Sequence, residues 1–167
     1  MEPPFDRAAL ESLYVRLEKP LYNVVYRWVW DPTVAEDIVH DTFVRLWSAR
    51  RQVVTATVEP LVYRIALNLV RNRRRWHRLR TFLGLDGLRA GAPPADEALA
   101  DHHRADRVRA AIDALPDKLR TVMVLTAYSG LSYAEIAALT GTPEGTVGSR
   151  RNRAIALLRA AVGGEDG

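Results

Sequence analysis

An all-α fold, divided into two small helical domains, is what the sequence predicts, and three observations carry it. Apolar residues recur at helical spacing almost throughout the 167 residues, with no convincing alternating strand. The C-terminal half carries well-spaced helix start and stop signals. One stretch, RTFLGLDGLRAGAPPADEAL at residues 80–99, gathers Gly84, Gly87, Gly91, Pro93 and Pro94 and is a poor helix. It reads as a flexible linker. Domains are therefore expected at 5–79 and 102–162, joined by a linker at 80–101. The first is large enough to bury a core, whereas the second is small and marginal alone.

In the first half, two helices are informative. Thr33 to Arg50, TVAEDIVHDTFVRLWSAR, puts Ala35, Ile38, Val39, Thr42 and Leu46 on one face. Glu36, Asp37, His40, Asp41, Val44 and Trp47 share the other. A plain solvent face seldom includes a Trp, so this pattern reads either as an acidic docking surface for a basic partner with an aromatic anchor, or as Trp47 packing on a neighbouring helix. Pro60 to Arg80, PLVYRIALNLVRNRRRWHRLR, is expected to bury Val62, Ile65, Ala66, Leu69 and Trp76. Arg64, Asn68, Arg71, Arg75 and Arg78 line the opposite face, as a row that tracks phosphates would.

In the second half, HRADRVRAAIDAL is a helix ending before Pro116, and DKLRTVMVLTAYSG is the next, stopping at Gly130. Ser132 and Glu135 have capping-box spacing and open SYAEIAALTG, which Gly141 closes. Thr142 is the expected cap of the last helix, with Pro143 at its first position. Two helices joined by a short Gly-containing turn make a helix-turn-helix, whose second helix enters the major groove in the DNA-binding form. Val147, Ala154, Leu158 and Ala161 fall on one face of that helix. Gly145, Thr146, Ser149, Asn152 and Arg153 fall opposite, with Arg150 at the flank. Small and polar residues leave room in a groove, Arg and Asn can bond guanine and adenine, and Ser or Thr can bond phosphate.

Charge agrees with this division. The net charge is +4, yet residues 59–80 alone carry seven Arg against one Glu, and residues 146–167 are net +2. Two late basic patches resemble a nucleic-acid footprint. The chain has no Cys, which excludes disulfides, thiolate metal sites and Cys nucleophiles. Its four His lack metal-ligand spacing with carboxylates, so neither metal nor cofactor is expected. The longest uncharged run, Thr121 to Ala134, is too short to span a membrane, and the N-terminus lacks a secretory layout, so a cytoplasmic protein without membrane insertion is expected. No nucleophile–base pair or phosphate loop emerges, so the chain is not expected to be an enzyme.

AEDIVHDTFVRLW, YRIALNLVRNRRR and ALPDKLRTVMVLTAYSGLSYAEIAALTGTPEGTVGSRRNRAIALLRAA together resemble a bacterial sigma factor, and the two-domain form resembles the extracytoplasmic-function (ECF) group. The resemblance covers most of the chain outside the linker and the tails. It implies a non-catalytic protein that binds core RNA polymerase and directs it to promoter DNA. The first domain corresponds to sigma region 2 and the second to region 4. The AEDIVHDTF helix docks on the clamp coiled coil of the largest polymerase subunit, with Asp37, His40 and Asp41 on the contact face. The loop SARRQVVTATVE and the following helix recognise and help open the minus-ten element, with Asn68, Arg71 and Arg74 near positions used there. The last helix reads the minus-thirty-five element, with Thr146, Ser149, Arg150 and Arg153 at reading positions. The linker threads toward the RNA exit channel, and an anti-sigma factor is implied as a partner. The chain departs from that family at Arg151, where Leu is usual, at Gly148, where a basic residue is usual, and at Pro60, where Trp is common. The competing reading is an operator-binding regulator, which needs only the second half. A helical protein- or RNA-binding module would use the Arg-rich helix alone.

Overall fold

The computed structural model describes residues 4–85 and 99–164. They form seven α-helices, grouped in two units that divide between Gly91 and Ala92.

The first unit holds α1 (Arg7–Val29), α2 (Pro32–Ser48) and α3 (Val58–Phe82), with two single 3₁₀ turns between α2 and α3. Asp6 caps α1 by accepting from the Ala9 N–H at 2.8 Å, and Asp31 caps α2 by accepting from Val34 at 3.0 Å. Trp30 ends α1 in the left-handed region at φ 53°, its N–H donating to the Tyr26 carbonyl and its ring lying edge-on to Tyr26 at 5.5 Å. That conformation costs a non-Gly residue about 1–2 kcal/mol, which the ring contact and the hydrogen bond offset. The core is Leu13, Leu17, Leu21, Val24, Val25 and Trp28 of α1 against Ala35, Ile38, Phe43 and Leu46 of α2 and Val62, Tyr63, Ala66, Leu67 and Val70 of α3. Arg16 and Glu59 pair at 2.7 Å and link α1 to the first turn of α3.

Two expectations about α3 need correction. Its buried stripe is Val58, Val62, Tyr63, Ala66, Leu67 and Val70; Ile65 and Leu69 are half-buried, and Trp76 is 65% exposed. Nothing in α3 beyond Val70 is buried, because the helix outruns the core that α1 and α2 supply. The helix also continues two residues past Arg80, and α4 begins at Leu99, so the helices reach further into the expected linker than the Gly and Pro content suggests. Most of the flexible linker expected at 80–101 falls on residues 86–98, outside the described residues.

The second unit holds α4 (Leu99–Asp113), α5 (Asp117–Tyr128), α6 (Tyr133–Thr140) and α7 (Glu144–Gly163). Its core joins Ala111, Ile112 and Leu115 to Leu119, Val122, Val124 and Leu125, with Ile136, Val147 and Ala154 closing it. Arg120 is also there, 1% exposed and paired with Asp113 at 2.7 Å.

Candidate protein and nucleic-acid interfaces

The first candidate surface is α2. Its apolar stripe is buried as expected, and the Thr42 hydroxyl within it donates to the Ile38 carbonyl at 2.7 Å. Glu36, Asp37, His40, Asp41 and Val44 are all exposed on the remaining face. None of the three carboxylates is drawn into an ion pair among the described residues. Trp47 has a partner within its own chain. It is half-buried, and the Arg50 guanidinium covers its ring at 4.5 Å while donating to the Trp47 carbonyl at 3.0 Å. The Trp47 ring is thus held by a cation of its own chain. Arg50 lies in the 3₁₀ turn after α2, so spacing along the helix could not reveal it.

The second surface is α3. Arg64, Asn68, Arg71, Arg75 and Arg78 are exposed, on the side opposite the buried stripe. Arg74 stands apart: it is half-buried, with its guanidinium 5.1 Å from the centroid of the Trp28 ring. Because α3 leaves the core after Val70, Arg73, His77, Trp76 and Arg80 are exposed as well. Positive charge therefore surrounds this end of the helix rather than lining one side.

The third surface is the α6–α7 pair. The capping box is complete: Glu135 N–H donates to Ser132 Oγ at 3.2 Å, and Ser132 N–H donates to Glu135 Oε2 at 2.7 Å. Gly141 closes α6 at φ 65°, a left-handed position suited to a residue without Cβ. The expected Thr142 cap is not made. Thr142 and Thr140 share a hydroxyl hydrogen bond at 2.9 Å, and Pro143 is the boundary residue, its carbonyl accepting from Thr146 and Val147. On α7, Val147 and Ala154 are buried, Leu158 is half-buried, and Ala161, expected in the stripe, is exposed. Gly145, Ser149, Asn152 and Arg153 are exposed together; Thr146 and Arg150 are half-buried at the flank. Ser149 Oγ donates to the Thr146 carbonyl at 3.1 Å. Gly148 is half-buried, and a Cβ built there would lie 3.6 Å from the Tyr133 ring. Arg151 is half-buried, the position where the resembling family has Leu.

Comparison with known proteins identifies the family of the chain. Residues 13–80 match the family description "Sigma-70 region 2". Residues 105–158 match "Sigma-70, region 4". Fold and surfaces together define a sigma-70-type transcription initiation factor. The ECF RNA polymerase sigma factor SigL of Mycobacterium tuberculosis is 31% identical over 169 residues, covering 94% of this chain and 90% of that protein. SigE of Mycolicibacterium smegmatis, also an ECF RNA polymerase sigma factor, is 33% identical over 161 residues, or 92% of this chain, and the chain spans 63% of that longer relative. Among solved structures, CnrH in complex with the cytosolic domain of CnrY aligns with a TM-score of 0.73 at 26% identity, over 96% of this chain and 92% of that one. RpoE of Bartonella quintana, solved with the anti-sigma factor NepR, shares the fold at a TM-score of 0.70 and 22% identity. The chain belongs to the ECF group of sigma factors. It acts as an initiation factor that binds RNA polymerase and selects promoters; the operator-binding alternative is not favoured. No helix among the described residues is long and apolar enough to cross a membrane.

Proposed function

We propose a division of this activity among the three surfaces. Glu36, Asp37, His40, Asp41, Val44 and Trp47 of α2 dock on core polymerase. Arg64, Asn68, Arg71, Arg74, Arg75 and Arg78 of α3 engage the minus-ten element. Thr146, Ser149, Arg150, Asn152 and Arg153 of α7 read the minus-thirty-five element. The functional domains are 5–79 and 102–162. One observation carries the assignment: on each of the three helices most of the named residues are exposed, away from the residues that the helix buries.

The action is binding rather than catalysis. Opening a duplex costs a few kcal/mol for each base unstacked. Two DNA contacts and a polymerase contact in one chain offset that cost, and tethering raises the effective concentration of the second domain once the first is bound. The proposed setting is the cytoplasm. An anti-sigma partner is proposed as well, since RpoE is a related fold solved with one.

Run-off transcription with purified core polymerase tests the assignment. The wild-type chain initiates from a promoter carrying both elements. The double variant Arg71→Ala, Arg75→Ala loses initiation while still co-purifying with core. Undiminished initiation by that variant would remove the minus-ten role from α3.

A further inference from the structure

Past Val70, α3 runs on with no buried residue, and its last turns hold apolar side chains in water. Trp76, Leu79 and Leu83 are all exposed, and at about 100° per residue they fall within about 60° of arc. Half-buried Leu61, Ile65 and Leu69 carry the same stripe back along the helix, adjoining the buried Val62, Ala66 and Val70. Phe82, 86% exposed, widens the stripe beyond Leu79. None of Leu79, Phe82 and Leu83 has a role in the surfaces above.

We propose that this end of α3 adsorbs to an anionic phospholipid surface. The helix lies along the bilayer, with its exposed apolar side chains at the headgroup–acyl boundary and its arginines on the lipid phosphates. The first support is charge. Arg75 borders the stripe on one side, and Arg73 and Arg80 border it on the other. All three are exposed, and none is drawn into an ion pair among the described residues. The one carboxylate of α3, Glu59, lies in its first turn and is taken by Arg16. Arginines flanking an apolar stripe suit an interface, because their methylene stems cover apolar surface while the guanidinium reaches outward. A guanidinium also matches phosphate oxygens with paired N–H donors. The second support is Trp76 itself, an amphipathic ring of the kind that settles at headgroup level.

Composition selects lipid over the other occupants. A second copy of the chain would set its own arginines against these, with no carboxylate nearby on α3 to relieve them. A nucleic-acid strand could stack on Trp76 and Phe82, but bases stack on aromatic rings, and Leu79 and Leu83 would be left without a partner. A lipid leaflet meets both kinds of side chain at once: acyl chains take the leucines, and acidic headgroups take the arginines. The contact is peripheral, since no helix among the described residues is long and apolar enough to cross a membrane. It is also independent of the minus-ten assignment, in which neither the apolar residues nor Arg73 and Arg80 take part.

Co-sedimentation of the full-length chain with vesicles tests this, comparing phosphatidylcholine alone with a mixture of phosphatidylcholine and phosphatidylglycerol, at low and high salt. The wild-type chain is expected to bind the mixed vesicles and to bind phosphatidylcholine about 10-fold less well. The double variant Leu79→Ser, Phe82→Ser should weaken binding to the mixed vesicles by about 10-fold or more. The double variant Arg73→Gln, Arg80→Gln should weaken it about 3- to 10-fold and flatten the salt dependence. All four positions are exposed, so neither variant removes a core contact. A wild-type chain that ignores the mixed vesicles overturns the proposal, and so does equal binding to both vesicle types. Undiminished binding by the Leu79, Phe82 variant would reduce the contact to charge alone and overturn it as well. If that variant instead loses only affinity for a single-stranded oligonucleotide, or only self-association, the occupant is a nucleic-acid strand or a second copy and not lipid.

Discussion

Tyr63 is fully buried in the first unit, and burial, reinforced by Glu59, pushes its phenol well above the ordinary value of 10.0. In the unfolded chain that tyrosine loses its proton near pH 10, while the folded chain keeps it. The unfolded state therefore binds fewer protons above that pH, and stability falls as pH rises beyond about 10. Denaturant unfolding followed across pH 9 to 11 should show this loss, and Tyr63→Phe should reduce its slope. Arg120 makes a second case at this scale. Its guanidinium is buried and its partner Asp113 is half in water. Asp113→Ala removes a carboxylate partner of a buried cation and is expected to destabilise the second unit, by at most about 3 kcal/mol because Asp113 is half in water. A thermal melt that differs little from wild type would contradict that. The sequence hides Arg120, because an arginine two residues before Val122 in an apolar helix looks like a solvent-facing residue until packing is known.

Among the elements, α7 is the one whose sequence most conflicts with its secondary structure. Gly148 sits inside it, and a helix-interior Gly costs about 0.5–1 kcal/mol relative to Ala. The space beside it is not forbidding: a Cβ would meet Tyr133 at 3.6 Å, an ordinary van der Waals separation. Gly148→Ala is therefore expected to stabilise the helix-turn-helix by about 0.5–1 kcal/mol, measurable as a higher denaturation midpoint. No gain would mean that Tyr133 does not accommodate the methyl group. Within α3, the same kind of local reasoning exposed Arg64, Asn68, Arg71, Arg75 and Arg78, as the structure does, but put Trp76 in the core. Helical periodicity states which residues share a side; it does not state where the neighbouring helices end. The Trp28 ring beneath Arg74 lies on another helix, outside the reach of any window along α3.

For the whole molecule, the proposed division has three binding surfaces acting together on one promoter complex. Asp37→Arg places a cation on the acidic face of α2, and affinity for core polymerase should fall through like-charge contact with a basic partner. Unchanged affinity would remove α2 from docking. Arg153→Ala should weaken recognition of the minus-thirty-five element by about 1–3 kcal/mol if its guanidinium contacts a base. The comparison of matched with scrambled upstream elements checks this, since a wild-type chain equally active on both has no base-reading role for Arg153.

Much of this protein followed from the chain alone. The helical class, the capping box at Ser132 and Glu135, the left-handed Gly141 and the charged faces of α2, α3 and α7 all depend on residues within a turn or two of each other, where backbone geometry dictates who is adjacent. Tertiary structure decided what those faces meet. It exposed Trp76, set Arg74 on Trp28, turned Arg50 over Trp47, and sank Arg120 against Asp113. Each of these joins residues whose proximity comes from packing or from a turn after a helix, and no periodicity within a single helix encodes such a meeting.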